Sequence, residues 1–462
     1  MIPGRARVYS IVLVLLLLLQ ALGASRVWAT TFPDKTFENT ILIGTTVSLS
    51  GRYGFEGQQA LCGMKAAVDW INSNGGIEFL GKTWYVKLVY NDDESSPEKA
   101  RQYFQEYISN GITLFIAPYS ESLASEIAPL VEKQGGVLML YGPSSDRLAR
   151  LYSSTIQVSS PVSVKYNQLF RIVKEAGGTD VVIISDGSAY AANSVKAVIN
   201  VATSMGLKVE RINYIKEGDV LNALNESPGN YSLLLILSDS LDMFKKIADE
   251  AYKSNSSFKL VATDVIASFP HFYLELGPSK AENIVGVSEW EEADLYSEEK
   301  ARQIPNADWY GPNSTKAWLE YYTKYCKTGV PGSVAAAASA AVLALANYIY
   351  WAGSLDPAAI KAKAKDIYMI TFYGPIQVDE KGYQTRHIPL LTQWIEGYKE
   401  IVYPKKFATA ELVYPAPNWI KTPPTTGTET TPLGGGSMLP IAGIAVIAVI
   451  GIVVYFIVRS RR

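Results

Sequence analysis

The chain reads as an α/β protein of two Rossmann-like, three-layer lobes followed by a C-terminal transmembrane helix, and three observations carry that expectation. Apolar β-branched runs alternate with stretches of helical period, the pattern of parallel sheets built from βαβ units. The alternation runs through once and then starts again, giving two units of similar size with no sequence repeat between them. Near the end, Met438 to Val458 is a run of about 21 apolar residues without a charge, long enough to cross a bilayer at ~1.5 Å per residue.

In the first unit Ile41 to Val47 reads as a strand. Gln58 to Asn72 follows as a helix whose Leu61, Met64, Ala67, Val68 and Ile71 share one face. Trp84 to Tyr90, Ile112 to Ile116 and Gly136 to Tyr141 are further strands, separated by helices at Pro97 to Ser109 and Glu121 to Lys133. The second unit has strands at Asp180 to Ser185, Leu207 to Ile212, Tyr231 to Leu237 and Phe258 to Ala262, with helices at Tyr190 to Met205 and Leu241 to Ser254.

The ends of the chain bracket this body. Arg5 and Arg7 precede the apolar run Ile11 to Leu19, and small residues follow, so residues 1–29 read as an export signal cleaved after Gly23 or Ala29, with an uncleaved anchor as the alternative. The basic residues Arg459, Arg461 and Arg462 directly follow the apolar run, which places the tail 459–462 in the cytoplasm and the body outside. Residues 416–437, rich in Thr, Pro and Gly, have the composition of an extended stalk, and their threonines suit O-linked sugar. Sequons at Asn225, Asn230, Asn255 and Asn313 permit glycosylation.

Composition narrows the chemistry. At 48% hydrophobic and 19% charged residues the body is an ordinary globular one, long enough for two domains. A net charge of −2 leaves no basic footprint for nucleic acid. The two cysteines, Cys62 and Cys326, either pair or are buried separately. The two histidines, His271 and His387, have no metal-ligand spacing, and no G-x-S-x-G elbow occurs, so neither a metal, a cofactor nor hydrolytic catalysis is expected.

Leu49-Ser50-Gly51-Arg52-Tyr53, then Gly57, Gly63, Ala67, Ile71-Asn72 and Gly75-Gly76-Ile77 resemble the opening of the type I periplasmic binding proteins, the leucine/isoleucine/valine-binding group. The similarity continues through Asp92-Asp93, Pro97, Phe115 to Ser120 and Gly136-Val137-Leu138, and returns in Phe372 to Asp379, Gly382-Tyr383, Gln393-Trp394 and Gly397. It spans about Thr40 to about Pro415, and the order of its motifs is more specific than any one of them.

The loops after the first strands fit such a binding role, because they lie at the carboxyl edge of a parallel sheet, where ligands bind in open α/β folds. The loop at Ser48 to Tyr53 leads into a helix, and Tyr119 to Ser122 opens another, whose free N–H groups favour a carboxylate. Plain capping by Ser120 and Ser122, and a polar turn at Ser144 and Ser145, are the alternatives. The resemblance implies a carboxylate site at Ser120 or Ser122 with Ser144 and Ser145, and an acidic partner for the ligand ammonium at Asp264. Ser238 and Asp239 would line the same wall, and Tyr53, Phe55 and Glu56 the loop-one side. Glu56 stands where an aromatic residue is usual and Ser145 where threonine is common, which leaves the ligand's side chain open.

The resemblance further implies three chain crossings, placed near Ser159–Val162, Trp290 and Gly353–Asp356. Lobe one then holds 40–158 and 291–353, and lobe two 159–290 and 354–415. A small polar ligand, a branched-chain or other amino acid, would be captured by hinge closure and passed by a monomeric body to an ABC permease with its ATPases. The C-terminal anchor on a stalk resembles archaeal forms. A ligand-sensing receptor ectodomain of the same fold and a stalk-anchored hydrolase are the alternatives.

Overall fold

The β-branched runs fold into two sheets of seven strands each. The computed structural model describes residues 29–421 apart from 143–145, 270, 294 and 327–328; the expected signal and the span Met438–Val458 lie outside the described residues. In the first sheet Lys82–Asp92, Thr40–Val47, Leu114–Ile116, Val137–Leu140 and Thr155–Gln157 run parallel in that order. Ile77–Phe79 pairs antiparallel with Lys82–Asp92, and Thr30–Phe32 adds an antiparallel edge on the same strand. That edge strand has too short an apolar pattern to be read from sequence.

The second sheet runs Tyr398–Tyr403, Leu390–Ile395, Val285–Ser288, Val261–Thr263, Leu233–Leu237, Asp180–Ser185 and Lys208–Asn213, with Leu390–Ile395 antiparallel to all the others. Leu233–Leu237 is buried at every position, as a central parallel strand covered on both faces must be. The run expected as one strand from Tyr231 to Leu237 breaks at Ser232, whose backbone N–H donates to Asp180 Oδ1 at 2.6 Å instead of to a ladder. Asn230–Tyr231 therefore pairs separately with Ser257–Phe258, which also divides the strand expected at Phe258 to Ala262.

Helix Gly54–Ser73 packs on the first sheet and against helix Ser333–Ala352. Their approach is set by small residues: a Cβ added at Gly63 would lie 2.0 Å from the Ala335 carbonyl oxygen. Among the described residues Ser333–Ala352 is the helix long and apolar enough to cross a membrane, yet 94% of its apolar window is buried within the protein, so here it is a core helix. Cys62 and Cys326 form a disulfide, with Cα atoms 5.9 Å apart and 264 residues of separation. It ties helix Gly54–Ser73 to the end of helix Thr315–Tyr325 and restricts a long loop of the unfolded chain, a contribution of about 2–5 kcal/mol.

Two expected boundaries need correction. The third crossing is not near Gly353–Asp356: Gly353 ends helix Ser333–Ala352 with φ of 58°, and helix Pro357–Ala364 then packs back on that helix. The chain continues through the ribbon of Asp308–Trp309, Met369–Thr371 and Gly374–Ile376, and Gln157 N–H donates to Gly382 O at 2.8 Å, so the return to the second sheet lies between Ile376 and Leu390. The body also does not stop at Pro415. Ala416 N–H donates to Lys259 O at 2.6 Å, and Trp419, 1% exposed, fills a slot against Tyr252 and Phe258.

Candidate functional site

Strand ends place the two rims of a cleft. On the first lobe, the turn after Thr40–Val47 needs Gly51, whose φ is 77° and whose added Cβ would meet Glu94 O at 2.7 Å; it aims Arg52 and Tyr53 across the cleft. On the second lobe Asp186 follows Asp180–Ser185 and Asp239 follows Leu233–Leu237. Arg52 Nη2 donates to Asp239 Oδ1 at 2.6 Å and lies 3.7 Å from Asp186 Oδ2, while the Tyr53 hydroxyl donates to Asp239 Oδ2 at 3.1 Å. Burial raises the Asp239 carboxyl in spite of Arg52. Asn193 Nδ2 donates to Glu121 Oε1 at 2.9 Å, and Phe55 stands edge-on to His271 with ring centres 4.2 Å apart. These contacts all join one lobe to the other, so the structure is closed.

Behind this latch lies a small cavity of about 20 Å³, walled by Tyr119, Tyr141, Ser159, Lys165, Val265 and Glu289 together with the start of helix Ser333–Ala352. Lys165 Nζ is 3.1 Å from Glu289 Oε1 and 3.8 Å from Asp264 Oδ1, and all three residues are buried. Burial opposes the charges on Lys165 and Glu289, but the Asp264 and Glu289 carboxylates hold the lysine above its ordinary value, and the Lys165 ammonium holds Glu289 below its own. The His387 ring is pushed down by burial, hence neutral, and its Nε2 lies 2.8 Å from the Glu289 carbonyl.

The expected site residues divide into several groups. Tyr53 belongs to the latch, and Ser238 supports it by donating to Asp186 Oδ2 at 2.6 Å. Phe55 covers the cleft mouth. Ser120 caps helix Glu121–Gln134 by accepting from Leu123 N–H at 3.3 Å, and its hydroxyl lies 2.8 Å from that of Ser122. Asp264 is not in the cavity wall: it accepts from the Tyr190 and Tyr166 hydroxyls and from Val265 N–H at 2.8 Å. Ser144 and Ser145 lie outside the described residues.

Glu56 is 4% exposed, and burial pushes its carboxyl up to about 8, so it is protonated at neutral pH. The folded form holds this proton between the ordinary carboxyl range and about pH 8 while the unfolded chain releases it, so this group's contribution is lost as pH rises through that window. Glu56→Gln keeps the neutral shape. Its stability relative to the parent should grow from pH 5 to pH 8 by on the order of 3 kcal/mol, read from urea melts at each pH. A constant difference between the two proteins would contradict a buried neutral Glu56.

Sequence reasoning passed over Arg52, Lys165, Asp186 and Glu289 as functional candidates. Lys165 had a signal: it interrupts the apolar face Val162, Tyr166, Leu169, Phe170 and Val173 of helix Val162–Glu175, where a charge must find a buried partner. Glu289, in an irregular segment between strands, had none.

Two α/β lobes joined by three crossings, with charged rims meeting over a small cavity, define a two-lobed ligand-binding protein. The sequence matches the periplasmic binding protein family over residues 40–399, and the chain belongs to that family, whose members are ligand-binding transport proteins and not enzymes. A curated relative, the Leu/Ile/Val-binding protein BraC3 of Rhizobium johnstonii, is 26% identical over 171 residues, which are 35% of this chain and 44% of that protein. The chain thus aligns with less than half the length of that relative. Among solved structures, the branched-chain amino acid transporter substrate-binding protein LivJ of Streptococcus pneumoniae, in complex with isoleucine, matches at TM-score 0.62 and 20% identity, over 79% of this chain and all of that one (100%). A solute-binding protein of an ABC transporter from Rhodopseudomonas palustris HaA2, in complex with p-hydroxybenzoic acid, matches at TM-score 0.64 and 17% identity, over 82% of this chain and 99% of that one. At these identities the structural likeness concerns the fold.

Proposed function

We propose that the chain is an extracytoplasmic solute-binding protein that captures a small polar ligand, a branched-chain or other amino acid, by closing two hinged lobes and presents it to an ABC permease. The observation that carries this reading is the latch of Arg52 and Tyr53 on Asp239, which forms only when the lobes meet and covers a small cavity between them. Family membership supports transport over catalysis. Ser120 and Ser122, at the start of helix Glu121–Gln134, together with Ser144 and Ser145, are the proposed hosts of a ligand carboxylate. Export by residues 1–29 and tethering by Met438–Val458 on the Thr/Pro/Gly stalk, in the manner of archaeal forms, complete the proposal and would keep the monomeric body near its transporter.

Mass spectrometry of what copurifies with the protein identifies the ligand, and small-angle scattering before and after its removal tests closure. A smaller radius of gyration in the bound form is expected. A profile unchanged at saturation would make the body a rigid interaction module and refute capture by closure.

A further inference from the structure

Of the sequons at Asn225, Asn230, Asn255 and Asn313, the fold gathers the first three into one patch on the second lobe. Asn230–Tyr231 pairs in parallel with Ser257–Phe258, and Asn230 lies opposite Ser257, the hydroxyl residue of the Asn255 sequon. The Asn255 N–H donates to Asn225 Oδ1 at 2.8 Å, and the Gly229 N–H to Ser256 Oγ at 3.2 Å. Asn255 is exposed although Ser254, Ser256, Ser257 and Phe258 around it are all buried. Asn230 is exposed too, and neither amide nitrogen has a hydrogen-bond partner among the described residues. Other asparagine amides are committed to the fold: Asn72 Nδ2 donates to Val86 O and Asn418 Nδ2 to Glu282 O. Asn225 stands apart from the pair, because its Oδ1 is engaged and Pro228, directly after Ser227, restricts the backbone of its sequon.

The patch lies at the amino edge of the second sheet. Asn230 precedes strand Leu233–Leu237 and Asp239 of the latch follows it, so the whole strand separates the patch from the cleft. The last described residue, Lys421, ends against the same patch: its N–H donates to Ser257 Oγ at 2.9 Å, and Trp419 packs on Phe258.

We propose that Asn230 and Asn255 carry N-linked oligosaccharide, a coat at the amino edge of the second lobe that shields the point where the chain leaves the body and keeps clear of the cleft. This rests on the reading of the chain as extracytoplasmic, since such acceptors are modified in exported chains. An oligosaccharide is bulky and hydrated, so it suits amides that hold nothing together and project into solvent. In the transfer Nδ2 forms a bond to the anomeric carbon of a lipid-phosphate-linked oligosaccharide and the C–O bond to phosphate breaks. The lipid phosphate departs with that electron pair, and Nδ2 gives one proton to a base of the transferase. Ser232 and Ser257, whose hydroxyls complete the two acceptor motifs, are 2% and 9% exposed, so the transfer precedes folding.

Glycopeptide mass spectrometry of the full chain isolated from its own membranes tests the assignment, with a membrane-impermeant amine label on intact cells reporting whether the body is outside. Sugar on Asn230 and Asn255 is expected in the labelled chain. Bare Asn230 and Asn255 in a labelled chain overturn the proposal and leave the solute-binding reading intact, whereas a chain that takes no label overturns export and the proposal together. In the double variant Asn230→Gln, Asn255→Gln the sugar mass of both sites should be lost while ligand binding stays at the parent's level, and added protease should cut near Lys421 faster than in the parent. Equal cutting of parent and variant overturns the shielding role. Sugar that persists at full mass in the variant lies elsewhere and overturns the assignment.

Discussion

A body ending at Pro415 should be less stable than one ending at Lys421 by about 3–5 kcal/mol, and Trp419→Ala in the longer body should reproduce most of that loss. Trp419 is 1% exposed, packs edge-on to Tyr252 with ring centres 5.1 Å apart, and donates from Nε1 to Lys280 O at 3.1 Å. Its neighbour Asn418 donates from Nδ2 to Glu282 O at 2.8 Å. Removing the segment opens an apolar slot and strands these carbonyls at once. Urea melts of the bodies 30–415 and 30–421 give the comparison, and equal midpoints and slopes would show that the segment adds nothing to the core.

Arg52→Ala should weaken ligand binding by roughly tenfold to a hundredfold while leaving the two lobes folded. In the closed form Asp239 is 1% exposed and has Arg52 and the Tyr53 hydroxyl as partners. Without the guanidinium, closing buries a carboxylate with one neutral donor, and the free energy cost falls on closure because an open cleft leaves Asp239 in water. The Arg52 side chain is 40% exposed, so solvent screening keeps the effect below that of a fully buried pair. Titration of the copurifying ligand measures it, and scattering should show the ligand-free variant shifted toward larger dimensions. Parent-like affinity in Arg52→Ala would mean that the latch follows closure without stabilising it.

Much of the architecture was legible because parallel strands covered on both faces must be continuous apolar runs, and Asp180–Ser185 and Leu233–Leu237 are such runs. What escaped was set by partners distant in sequence. Thr30–Phe32 is a strand only because Lys82–Asp92 offers an edge, and the break at Ser232 comes from the Asp180 carboxylate. Gly353 read as the start of a crossing because a turn signal does not say where the chain goes next; helix Pro357–Ala364 simply folds back on its predecessor. At the site, serines after strands were readable as caps and candidate ligand groups. Asp264 drew notice by its place after a strand, but its tyrosine partners come from helices 98 and 74 residues earlier in the chain, which no local pattern announces.

The interleaving of the two lobes bears on how such a chain comes to be folded. The first sheet is finished by Thr155–Gln157, but the helix that covers it, Ser333–Ala352, arrives only after most of the second lobe. The second sheet in turn waits for Leu390–Ile395 and Tyr398–Tyr403, and for Trp419 beyond them. Neither half can bury its core while the chain is still emerging, since each lacks a piece supplied from beyond the other. A chain cut before Ser333 therefore leaves one face of the first sheet without its covering helix.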